Sequence, residues 1–154
     1  MVALPESFAE IDSCEYLFLR DIGDPRYNSL RLLVEAGSAS PEASTVIIAG
    51  TPITGCHNVE SHDQSPLFEV LWEIYVAYSV RNESYVGPDT PEEVSLGRRM
   101  RLYSKSSFLE FVSHSTFASP EYPGPLQHVG VNCEDHIIDV ISTALPRIRR
   151  IRPT

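Results

Sequence analysis

The sequence predicts an α+β fold: a single domain with a mainly antiparallel β-sheet of about six strands and one or two helices. Three observations lead there. Six or seven short segments are rich in β-branched and aromatic residues. The runs between them are short and hold Gly, Pro, Asn or Asp, which makes turns rather than helical crossovers. Only one segment, late in the chain, carries a full set of helix signals.

Residues 16–22 and 30–36 are apolar runs flanking Gly-Asp-Pro-Arg-Tyr-Asn-Ser, which predicts an antiparallel hairpin. The small residues of 37–44 read as a loop, and Thr-Val-Ile-Ile-Ala at 45–49 as a buried strand ended by Gly50 and Pro52. Residues 55–66 are polar and show neither periodicity, so they read as a second loop. From 67 to 83 the chain lacks Gly and Pro, yet Tyr75, Val76, Tyr78 and Val80 favour two strands, or one long bent strand, over a helix. Gly87, Pro88 and Pro91 break the pattern, and Glu92 and Glu93 look like an exposed connection.

Residues 98–104 alternate around Met100 and Leu102 as a half-exposed strand does. The helix follows over 107–118: Ser107 and Glu110 fit a capping box, Phe108, Leu109, Phe111 and Val112 form an apolar stripe, and Pro120 comes after its end. Three prolines make 120–125 irregular. Residues 126–133, with Val129, Val131 and Cys133 on one face, then pair with 136–142 as a hairpin, the alternative being a helix opened by Asn132, Glu134 and Asp135. The Arg-rich residues 147–154 read as a tail, leaving 1–146 as the domain.

Composition sets the class. With 154 residues, 42% hydrophobic and 21% charged, the chain suits one globular core. It has no basic leader and no 18-residue apolar window, so a cytoplasmic location without membrane contact is expected. Three cysteines with no Cys-x-x-Cys spacing fit reduced thiols. Charge is polarised: residues 1–97 hold 16 of the 21 acids and four of the 12 bases, net −12, while 98–154 are net +3. A net −9 opposes nucleic-acid binding despite the clustered arginines.

Two groups of residues bear on chemistry. Cys56, His57, Glu60, His62 and Asp63 are ligand types crowded into one loop, but they lack paired metal-ligand spacing, so no metal and no cofactor is expected. His128 and His136 would meet across the last hairpin, with Asp139 placed to orient an imidazole. Arg81 and Glu83, two apart on a strand, would form a surface charge pair. Phosphate-loop, nucleophile-elbow and zincin motifs are absent.

The leading expectation is a small binding protein whose acidic face, including Glu60, Asp63, Glu69 and Glu73, captures a basic protein, as an immunity protein does with a cationic toxin or nuclease domain. The alternative is a small hydrolase or metal-dependent enzyme using His128, His136 and Asp139, or the loop from Cys56 to Asp63. Convergence of those side chains in a pocket favours the alternative, and a flat carboxylate face favours the binder.

Overall fold

A computed structural model describes residues 2–152. A 3-10 turn, Glu6–Phe8, leads into the short helix α1 (Ala9–Asp12). Ten strands follow: β1 (Tyr16–Gly23), β2 (Leu30–Ile48), β3 (Thr51–Glu60), β4 (Leu67–Trp72), β5 (Ala77–Asn82), β6 (Val94–Leu96), β7 (Met100–Lys105), β8 (Gln127–Asn132), β9 (His136–Ser142) and β10 (Arg147–Arg152). Helix α2 (Ser107–Ser115) lies between β7 and β8. The expected antiparallel α+β architecture is present, with more strands than the sequence announced.

The strands form two sheets. One runs β1-β2-β4-β10, with β3 paired to the far half of β2, and the other runs β5-β9-β8-β7-β6; every pairing is antiparallel. Period-two alternation turns one face of each sheet inward. Leu17, Leu32, Val34, Phe68, Val70 and Trp72 of the first sheet meet Met100, Val129, Val131, Ile138 and Val140 of the second in one core cluster. Phe8 and Ile11, from the turn and α1, close that cluster.

Asp12 fastens this closure to the second sheet. Its Oδ1 accepts hydrogen bonds from the backbone N–H of Arg98, Arg99 and Met100, at 2.6, 2.8 and 3.0 Å. The turn it grips needs Gly97, whose φ is +92° and whose added Cβ would lie 2.0 Å from the Met100 carbonyl oxygen.

Several expectations are corrected. The opening hairpin forms as expected, but residues 37–44 are no loop, because β2 runs through them to Ile48. The strand at 45–49 is not buried: Ile47 and Ile48 are 71% and 58% exposed. Residues 55–60, the first part of the expected polar loop, belong to β3 (Thr51–Glu60), which pairs with β2 around a turn at Ala49 and Gly50. Their register shifts twice, which breaks the regular alternation that marks a strand in sequence. Residues 67–83 are two strands, but β4 and β5 belong to different sheets.

The helix ends at Ser115. Its N-cap is Ser106, one residue before the proposed capping box: Ser106 Oγ accepts from Leu109 N–H at 3.0 Å. Phe111 of the expected stripe is 63% exposed, while Val112 is buried. Residues 147–152 are no appended tail, since β10 pairs with β4 from Arg147↔Leu71 to Arg152↔Leu67 and Ile148 packs against the core.

Candidate functional site

The outward face of the second sheet gathers polar side chains because four neighbouring strands present their outward positions in one register. Tyr103 of β7 is paired with His128 of β8, Arg101 with Gly130, Gly130 with Asp139 of β9, and Ser79 of β5 with Asp139. Arg81 follows two residues along β5 on the same face. Gly130 leaves room here, since an added Cβ would lie 3.0 Å from Tyr103 Cε2 and press on the ring. Its absence lets the Tyr103 ring lie against His128, with centroids 4.1 Å apart and planes 8° from parallel.

His128 is 2% exposed and bonded at both ring nitrogens. Ser106 Oγ lies 2.6 Å from Nδ1, and Asp139 Oδ1 lies 2.9 Å from Nε2. Ser106 already accepts from Leu109 N–H, so its hydroxyl hydrogen is left for Nδ1 and the Nε2–H donates to Asp139; this network assigns the tautomer. Asp139 Oδ2 accepts from Arg81 Nη2 at 2.9 Å. A continuous chain therefore runs from the α2 cap through a buried imidazole and carboxylate to an arginine whose side chain is 52% exposed.

Burial of Asp139 alone would raise its pKa, but the hydrogen bond from His128 and the charge and hydrogen bond of Arg81 outweigh it and hold the carboxyl below its ordinary value. Tyr103 is shifted upward, chiefly by burial and partly offset by Arg101, so its hydroxyl stays a donor at neutral pH.

Above this chain lies a cleft of about 360 Å³. Arg81, Asp139 and Glu93 provide charge, Tyr103 and Ser107 hydroxyls, and Phe108 and Phe111 of α2 an apolar wall. Glu93 accepts from the N–H and the hydroxyl of Ser107, at 3.2 and 3.0 Å, tying the segment before β6 to the first turn of α2. A second hollow of about 300 Å³ shares Arg81, Glu93, Tyr103 and Ser107 and extends toward Arg101, whose guanidinium holds Asp89 at 3.0 Å.

Of the residues singled out in the sequence, His128 and Asp139 come together. His136 does not join them: β8–β9 register sets His128 opposite Ile141, while His136 pairs with Asn82 of β5 and lies 3.2 Å from Asp135. Arg81 pairs with Asp139 rather than Glu83, because Glu83 has left the strand for a 3-10 turn. Cys56 and His57 are consecutive on β3 and so point to opposite faces, with His57 Nδ1 2.7 Å from the Ser40 carbonyl oxygen. Among the described residues no three His, Cys, Asp or Glu side chains converge in a metal-binding group. Cys14 and Cys56 are half-buried, Cys133 is buried, and all three are thiols.

The proposed acidic face is divided. Glu69 pairs with Arg149, and Glu73 pairs with Arg26 and Arg147. Glu60 at the end of β3 and Asp63 in the turn after it have no arginine partner among the described residues. Sequence reasoning missed Ser106, Tyr103 and Glu93 at the cleft. A signal existed for Tyr103, an outward position on an alternating strand, but its neighbour across the sheet depends on register.

The chain matches no family model, no curated protein and no solved structure.

Proposed function

We propose that the protein is a ligand-recognition domain that binds a small organic molecule in the cleft beneath α2. The observation that carries this reading is the half-exposed Arg81, held by the buried pair of Asp139 and His128 at the floor of a cavity whose size suits a small molecule. Asp139 occupies one Nη of Arg81, so the other donors of its guanidinium can take an anionic or strongly accepting group. Tyr103, Phe108 and Phe111 offer ring faces and edges to a flat apolar portion of the same ligand.

Recognition fits the site better than acid-base catalysis. Both nitrogens of His128 are engaged inside the protein, and the ring is held between Tyr103 and the edge-on Phe108, with centroids 4.1 and 5.7 Å away. Ser106 is 1% exposed and serves as the helix cap. An imidazole so placed positions Arg81 through Asp139 and presents no unengaged nitrogen to a substrate.

The test is a binding screen of aromatic and aliphatic carboxylates and phosphates, followed by amide shift mapping. Hits should perturb the amides of Ser79, Tyr103 and Phe108, and Arg81→Ala should abolish binding while leaving the fold intact. Hits that map elsewhere, or that ignore Arg81→Ala, would end this reading.

Capture of a basic protein, as by an immunity protein, is the second reading, favoured by the net −9 and by Glu60 and Asp63 lying beyond the arginine pairs. Glu60→Gln with Asp63→Asn should then slow association with a cationic partner and flatten its salt dependence. An unchanged rate sinks it.

A further inference from the structure

We propose that the arm formed by residues 38–60 is a dimerisation device that joins two copies of this chain edge to edge. Beyond Gly37, where pairing with β1 stops, and Glu35, where pairing with β4 stops, β2 is paired among the described residues with β3 alone, so the arm is a two-stranded ribbon whose outer edges are unpaired there. Such ribbons are marginal in water unless further strands or a packed face support them.

The two edges differ. That of β3 is blunted, since Pro52 has no N–H to donate and Gly55, at φ +74°, sits where the register shifts. On β2, Pro41 and a register shift interrupt the edge between Ala39 and Ala43, but the six residues after them, Ala-Ser-Thr-Val-Ile-Ile, contain no Pro, Gly or charge. Proteins commonly protect an edge of that composition.

Its side chains are also uncovered. Val46, Ile47, Ile48 and Ile53 are 39, 71, 58 and 43% exposed. Laid antiparallel against the same segment of a second copy, residues 43–48 would form a two-fold ladder. Each unpaired N–H along the edge then meets an unpaired C=O of the second copy, and the two ribbons become one four-stranded sheet that shares these apolar side chains.

Charge selects this occupant. A chain of net −9 repels its own copies over most of its surface, but no charged residue occurs from Ala43 to Cys56. A lipid surface suits the arm less well, because no Lys or Arg lies between Arg31 and Arg81 and the single Trp, Trp72, is buried in the core.

Sedimentation equilibrium of the full chain tests the proposal, with Ile47→Lys/Ile48→Lys as the variant and hydrogen exchange as a second readout. The expected result is a concentration-dependent species of twice the 17.2 kDa chain mass, with amides 43–48 gaining protection as it forms. The variant should be monomeric at every concentration, with an unchanged near-ultraviolet spectrum. A wild-type chain that stays monomeric, a dimer that survives the two lysines, or a monomer that floats with phosphatidylcholine vesicles would each overturn it.

Discussion

Arg149 Nη2 lies 3.2 Å from Glu69 Oε1, and the two residues are direct partners in the β4–β10 ladder. Ion pairs outside the ladder join Arg147 to Glu73, Arg150 to Glu10 and Arg101 to Asp89 in the same sense. The polarised charge of the linear chain is thus folded back on itself: the basic end supplies counter-ions to the acidic first part. Each exposed pair contributes little alone, and together they neutralise charge locally while the net −9 remains.

Deleting residues 147–152 should unfold the protein rather than trim it. β10 covers the edge of β4, and Ile148 packs on the core cluster. Circular dichroism of the truncated chain is expected to show loss of the near-ultraviolet signal; a cooperative melt at the wild-type temperature would return this segment to the status of a tail.

His128→Ala should destabilise the protein by about 3 kcal/mol, because it opens a cavity and strips partners from the buried Ser106 and Asp139. Urea titration measures it. A change below about 0.5 kcal/mol, the size typical of surface substitutions, would mean the network is not coupled to folding.

Acid should weaken the fold through Asp139. Its folded pKa lies below the ordinary 3.8, so the ionised form contributes stability that is complete above that value and lost as pH falls through the lower folded pKa. Urea midpoints measured from about pH 5 down to about pH 2 should therefore fall more steeply for the wild type than for Asp139→Asn. Parallel slopes would assign the acid sensitivity to other carboxyls.

Gly130→Ala should cost about 1–2 kcal/mol by displacing the Tyr103 ring from His128. Its effect on ligand binding in the cleft should exceed its effect on the melting temperature, and calorimetry of both variant and wild type separates the two.

Strand signals carried most of the fold. β1, β4, β5, β7, β8 and β9 stand out by local alternation or β-branched content, which one segment displays by itself. The arm escaped because its residues answer to no core: 45–49 looks like a buried strand by composition, and only the absence of a facing layer leaves Ile47 and Ile48 exposed. β10 escaped for a related reason, since its arginines suit a strand only opposite Glu69 and its neighbours. At the site, His128 and Asp139 were legible as residue types. Their meeting required the register Gly130↔Asp139, and so did the exclusion of His136, neither of which one strand's sequence contains.

The pairing of β10 with β4 also orders events in time. A ribosome releases β4 well before the segment at 147–152, so a growing chain passes through a stage in which β4 lacks its β10 neighbour. An open strand edge is an invitation to aggregate, and the charges of Glu69 and Glu73 stand beside this one before any arginine of β10 has been made. Charge beside an open edge is what discourages such pairing, and in the folded molecule the same two carboxylates become the sockets for Arg149 and Arg147 of β10.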